Sequence, residues 1–195
     1  MPRNRDHSPL DENDLLQRAR RLDEAALSAI FDAYYRPLYF YLYTHLGHGP
    51  TAEDLAADVF KIFLEQVSAK RGPTQMLRPW LYQVAHNLMV DELRRRKHRE
   101  HDLLDENLPA KAPELNDQAQ EADELQAVSN AFKRLSIKQQ AVLNMKFLHG
   151  LTNEEIARAL KMAEGTVRAL QLRGLRALGR HLQQDDNLYR EMDKK

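Results

Sequence analysis

The stretch Leu151-Thr-Asn-Glu-Glu-Ile-Ala-Arg-Ala-Leu-Lys-Met-Ala-Glu-Gly-Thr-Val-Arg-Ala-Leu-Gln-Leu-Arg-Gly-Leu-Arg-Ala-Leu-Gly179 reads as two helices around a short turn. Thr152 and Glu155 have the spacing of a capping box, which satisfies free backbone N–H groups where a helix begins. Ile156 and Leu160 form an apolar stripe, and Ala157 is small enough to let a second helix approach. After a turn over Lys161 to Glu164, Val167 and Leu170 resume the stripe at helical spacing. Arg168, Gln171 and Arg173 stay off it. Long polar side chains on an exposed helix are what phosphate and major-groove contacts use. The pattern predicts a helix-turn-helix aimed at duplex DNA. Arg176 and Arg180 extend its basic face, and each phosphate contact makes affinity more salt-sensitive.

Charge distribution supports this reading where total charge does not. The chain has 195 residues and formal net charge zero. From Arg78 to Arg99, however, six Lys/Arg face two acids, a local balance of +4. From Lys133 to His181, ten Lys/Arg face three acids, a balance of +7. Between them, Asp102 to Glu124 holds eight acids against Lys111, a balance of −7. Local charge sets the local field, so two basic blocks flank one acidic spacer. An ordinary helical hairpin with a solvated basic face explains the helix-turn-helix less well than DNA binding does.

Composition narrows the remaining classes. There is no cysteine, hence no disulfide framework, thiolate zinc site or cysteine nucleophile. No apolar run is long enough to span a membrane, and the polar stretch from Met1 to Asp11 lacks a signal-peptide core. A cytoplasmic location is expected. The pairs His45/His48 and His98/His101 have no accompanying ligands in a metal pattern. No Gly-rich phosphate loop or nucleophile–base pairing is legible. The expectation is no catalytic residue, metal, cofactor or small-molecule substrate.

Helical periodicity dominates, so the expected fold is all-α. Leu15 to Tyr43 reads as two helices, with Phe31, Tyr35, Leu38, Leu42 and Leu46 on one face and Pro37 bending or restarting the second. Thr51 is positioned to cap a third helix that buries Leu55, Val59, Ile62 and Phe63. A loop over Lys70 to Arg78 precedes a helix with Pro79 in its first turn, running to about Arg96. Its inward residues are Trp80, Leu81, Val84, Ala85, Leu88 and Leu93; Tyr82, His86, Asn87 and Asp91 fall on or near the other side. Pro109, Pro113 and many acids mark residues 101–123 as a flexible linker. Helical pattern returns over Glu124 to Leu135, and Ser136 is placed to cap Ile137 to Leu148. The expected organisation is two small helical modules, 10–100 and 124–182, joined by the acidic linker 101–123, the second module carrying the helix-turn-helix.

The Trp80 helix ends in Arg94-Arg-Arg-Lys-His-Arg99. Compensating a helix dipole needs one or two cations rather than five, so Arg94, Arg95, Arg96 and Lys97 are expected to meet DNA. Aromatic and amide groups beside a cationic tract suit unstacked single-stranded bases. By contrast, Ala52-Glu-Asp-Leu-Ala-Ala-Asp-Val-Phe-Lys-Ile-Phe63 reads alone as a core helix with a solvated acidic side.

In this order, the acidic helix, the Trp80 helix with its arginines, the acidic linker and the helix-turn-helix resemble a bacterial RNA polymerase sigma factor of the extracytoplasmic-function (ECF) group. The resemblance runs from about Leu10 to Leu182. It implies that the acidic helix docks on the clamp helices of the polymerase β′ subunit through Asp54, Leu55, Asp58 and Phe60. It implies further that Asn87 and Asp91 lie near the melted −10 strand, after a loop (Arg71 to Arg78) that captures an extruded base. Thr166, Arg168, Gln171, Leu172, Arg173 and Arg176 would belong to the −35 reader. Partners implied are core polymerase, engaged at the β′ clamp helices and the β flap, promoter DNA and an anti-sigma factor.

The chain departs from the family pattern at several places. Ala57 replaces a Gln common in the docking motif, Lys161 the usual turn Gly, and Ala163 the usual Ser cap. Leu172 stands where a polar residue is common, and it suits a thymine methyl. The competing function is a helix-turn-helix regulator that binds duplex DNA without core polymerase. Such a regulator has no need of the Asn87/Asp91 helix with its arginine tail. A helical enzyme, lacking any legible active site, stands far behind.

Overall fold

The computed structural model describes residues 9–102 and 128–192, with side chains described for 12–99 and 128–184. Among these residues the fold is all-α, in two compact units. The linker expectation lies largely outside the described residues: His101 and Asp102 continue a helix, and 103–123 are not described.

The first unit comprises α1 (Pro9–Ala19), α2 (Glu24–Leu46), α3 (Gly49–Ser68) and α4 (Leu77–Asp102). Helix α2 is central, packing on α1, α3 and α4. Asp23 caps it, accepting from Ala26 N at 2.8 Å, and this bond holds the Asp23 carboxyl below its ordinary pKa. At the other end Gly47 takes a left-handed conformation, φ 64°, and donates to Tyr43 O. One helix runs through Pro37, so of the two expectations, a bend or a restart, the restart does not occur. An interior proline costs roughly 3 kcal/mol. Burial of Ile30, Tyr34, Leu38, Tyr41 and Leu42 on both sides of it offsets that cost, at about 1.5–3 kcal/mol per large side chain.

Two faces of α2 are apolar, not one. Leu38, Leu42 and Leu46 are buried as expected, together with Ile30, Tyr34 and Tyr41. Phe31 stays 43% exposed, stacks with Tyr35 at 4.9 Å and meets Phe60 at a tilt at 4.8 Å. The cap of α3 also differs from expectation. His48, not Thr51, is the N-cap, accepting from Thr51 N at 3.3 Å. Pro50 has no N–H to satisfy in the first turn, so the helix begins earlier than the threonine.

Helix α4 extends beyond Arg96 to Asp102 because its charged tail contains no Gly or Pro and gains Glu92–Arg96 pairing at helical spacing. Tyr82, expected on the outer side, is buried and meets Tyr41 edge-on at 5.5 Å. Both α2 and α3 pack on α4, so its buried arc is wider than one stripe.

The second unit contains α5 (described residues 128–133), α6 (Ile137–Leu143), most of α7 (Asn153–Ala159) and α8 (Glu164–Met192). Residues 124–127 of the expected fifth helix are not described. Ser136 and Gln139 form a reciprocal capping box on α6. The expected helix to Leu148 changes character: Asn144–Leu148 widens into a π turn. That turn carries Asn144 fully inside, where neither side-chain polar atom has a hydrogen-bond partner among the described residues, and leaves Phe147 and Leu148 more than 60% exposed. Gly174 lets α8 lie against α6; a Cβ there would meet Leu143 Cδ1 at 3.0 Å.

Candidate nucleic-acid and polymerase interface

The helix-turn-helix forms as its sequence predicts. Thr152 N donates to Glu155 Oε2 at 2.7 Å, and Glu155 N to Thr152 Oγ1 at 3.1 Å, closing the capping box on α7. Ile156, Ala157 and Ala159 of α7 and Val167, Leu170 and Ala177 of α8 are buried. The turn between the helices holds Lys161 at φ 51°, a left-handed value that favours glycine. Ala163 precedes α8, and its carbonyl accepts from Thr166 N and Val167 N, but its side chain offers no cap.

On α8, Thr166, Arg168, Arg173 and Arg176 are exposed, and Leu172 is 51% exposed between them. Arg168 reaches back to Glu164 at 2.9 Å, an exposed pair that phosphate can replace. Gln171 differs from its neighbours. It is half-buried, and its Nε2 donates to Asn153 Oδ1 at 2.9 Å, bracing α8 against the first residue of α7.

Helix α4 presents a second exposed polar face, with Asn87, Asp91, Arg94, Arg95 and Lys97 open to solvent. Arg96 points another way. Its Nη1 donates to Leu46 O at 3.0 Å, satisfying a carbonyl at the end of α2, and its Nε to Glu92 Oε1 at 3.0 Å. Glu92, whose side chain is only 12% exposed, also accepts from Arg99 at 3.0 Å. Burial alone would raise its pKa, but the Arg96 and Arg99 bonds win, and the carboxyl is held below its ordinary range. Beneath this face Tyr41 Oη and His86 Nδ1 are 2.9 Å apart, joining α2 to α4.

The loop before α4 is held from α1. Arg20 Nη1 donates to Gly72 O at 3.0 Å and Pro73 O at 2.9 Å, and Gln17 Nε2 to Thr74 O at 3.4 Å. Glu12 Oε1 accepts from Arg78 N at 2.9 Å in the first turn of α4. Lys70 and Met76, near the two ends of the loop, have φ 58° and 55°.

Helix α3 exposes Glu53, Asp54 and Asp58 on one side. Leu55 and Phe60 are buried at 8% and 7% exposure, with Phe60 against Phe31 and Tyr35. The three acids are therefore at the surface, and the two apolar residues hold the helix beneath them.

Comparison with known proteins decides what these surfaces belong to. Residues 30–99 match the family described as Sigma-70 region 2, and residues 125–178 match Sigma-70, region 4. The ECF RNA polymerase sigma factor BldN of Streptomyces coelicolor is 31% identical over 176 residues, covering 88% of this chain. The chain belongs to the ECF group of sigma-70 RNA polymerase sigma factors. It spans 66% of the length of BldN, and 85% of SigX of Bacillus subtilis, to which it is 25% identical across 82% of its own length. Two solved structures share the fold. One is CnrH in complex with the cytosolic domain of CnrY: TM-score 0.69, 17% identity, 89% of this chain and 98% of that one. The other is the sigma factor RpoE in complex with the anti-sigma factor NepR from Bartonella quintana: TM-score 0.63, 18% identity, 80% and 96%.

In this sigma factor α2 from Ile30, α3 and most of α4 make up region 2, and α5, α6, α7 and the first half of α8, to Leu178, fall in region 4. Sequence reasoning missed Arg20, Glu92 and Asn153 as organisers of the exposed faces. The Glu92–Arg96 spacing was a legible signal; nothing local announced that Arg20 reaches Gly72, fifty-two positions on. Among the described residues, no group of three His, Asp or Glu could hold a metal ion, and no helix is long and apolar enough to cross a membrane.

Proposed function

We propose that this sigma factor binds core RNA polymerase and directs promoter-specific initiation by reading a −10 and a −35 element. The observation that carries the reading is α4. In one helix of the region-2 match, a buried apolar side is backed by exposed Asn87 and Asp91 and followed by exposed Arg94, Arg95 and Lys97. Amide and carboxylate groups suit the edges of unpaired bases, and the cations suit the backbone beside them. Arg96 serves this face by anchoring α4 to α2.

On α8, Thr166, Arg168, Leu172, Arg173 and Arg176 face the −35 duplex, while Gln171 sets the angle of that helix through Asn153. The exposed acids Asp54 and Asp58 on α3 meet basic residues of the β′ clamp helices, with Leu55 and Phe60 fixing the helix from below. The β flap is the second polymerase contact. An anti-sigma factor is the regulatory partner, a reading supported by the complex of RpoE with NepR. The protein's work is recognition and strand separation, with no bond-making step of its own.

Binding to purified core polymerase tests the docking surface. Reversing one exposed charge, Asp58→Arg, should weaken core affinity about tenfold or more without lowering thermal stability, because a rim charge repels its new neighbour and loses no packing. Unchanged affinity would remove α3 from the interface.

A further inference from the structure

Loop 69–76 turns three of its carbonyls toward Arg20 and Gln17 and several of its polar side chains toward solvent, with Pro73 buried. Three successive carbonyls, of Gly72, Pro73 and Thr74, accept from Arg20 and Gln17, while the Arg71, Thr74 and Gln75 side chains are exposed. The path is also tightly specified. Lys70 and Met76 lie in the left-handed region, and a Cβ at Gly72 would come within 3.0 Å of Val67 Cγ2. A loop that only had to join α3 to α4 would leave its carbonyls to water. One guanidinium nitrogen, Nη1, donating to two adjacent carbonyls is a charge-assisted restraint. It comes from a residue that precedes position 30, where the region-2 match begins.

We propose that Arg20 is a positioning residue for reading the melted −10 strand. By holding the Gly72 and Pro73 carbonyls it fixes the loop, so that Arg71, Thr74 and Gln75 meet one extruded base in a single geometry. A recognition group must be held by surrounding contacts to discriminate; a loose loop accepts any base. This role rests on the reading of α4 and its preceding loop as the −10 reader.

The test uses the full chain bound to core polymerase and forked promoter fragments whose −10 strand is already unpaired. Each −10 position is varied through all four bases. Wild type should prefer its best base at the loop-read position by about tenfold, the value of one well-made contact. In Arg20→Ala that ratio should fall toward one, while preferences at the other −10 positions and affinity for core stay unchanged. Arg20→Gln, which keeps a neutral donor, should fall between, and it carries the comparison if the alanine variant does not fold. Arg20→Ala retaining the full ratio, or weakening all four bases alike, would overturn the positioning role. If wild type shows no base preference on the melted strand, the −10 reading of α4 fails first and the role of Arg20 goes with it.

Discussion

Arg94, Arg95 and Arg96 are adjacent in sequence but not in task. The first two are roughly 70% exposed, whereas Arg96 is 27% exposed and bonded to Leu46 O and Glu92. Truncating Arg96 removes the donor to Leu46 O and one of the two hydrogen bonds that hold the largely buried Glu92 carboxylate, leaving it to Arg99. Arg96→Ala should therefore lower unfolding stability by about 1–3 kcal/mol, whereas Arg94→Ala should change it by less than about 0.5. Urea unfolding of the two variants separates them; equal losses would place Arg96 with its exposed neighbours. His45 supplies a pH signature. Its ring is buried, which favours the neutral form and lowers its pKa, while its bond to Tyr41 O at 2.7 Å pulls partly the other way. Above neutral pH both folded and unfolded states carry it uncharged, and no stability is lost. As pH falls through the unfolded value of about 6.5, only the unfolded chain takes the proton, so stability declines. Melting temperature should drop between about pH 7.5 and pH 5.5, and His45→Gln should flatten that slope. Glu92, with its depressed pKa, loses its contribution only on further acidification and leaves this window clear.

At the scale of elements, legibility followed the range of the interaction. The capping box at Thr152/Glu155, the Ser136 cap and the buried stripe Ile156, Val167, Leu170 are local, and the sequence shows them directly; the structure adds Gln139 as the reciprocal partner of Ser136. What it did not show was set by tertiary packing. Helix α2 continues through Pro37 because its flanks are buried; Tyr82 turns inward because two helices cover α4; Asn144 is drawn inside by a π turn. Among the candidate site residues, the exposed ones were legible as charge off the apolar stripe. Arg96 and Gln171, whose partners lie on other helices, looked the same as their neighbours until the structure placed Leu46 and Asn153 beside them. The turn of the helix-turn-helix carries two correctable costs. Lys161→Gly relieves a left-handed residue, and Ala163→Ser supplies the missing cap. Each should raise stability by about 1 kcal/mol. Thermal melts of the single variants check this; a loss at Lys161→Gly would mean that its side chain contributes more than its backbone costs.

For the whole molecule, the net charge of zero is the sum of unlike parts. Basic blocks at Arg78–Arg99 and Lys133–His181 stand against the acidic stretch Asp102–Glu124. A protein that bound duplex DNA alone would need only the second block. The first belongs to a helix with exposed Asn87 and Asp91, in the segment that matches region 2, which we propose meets the melted −10 strand. Dependence on core polymerase is therefore what separates a sigma factor from a protein that binds duplex DNA alone. The direct measurement is in-vitro transcription with purified core enzyme, this protein and genomic promoter fragments. Discrete run-off products should appear only when protein and core are both present, and they should be lost when Arg94 and Arg95 are both replaced by alanine. Products that persist in that double variant, or sequence-specific binding to promoter duplex at full strength without core, would contradict it.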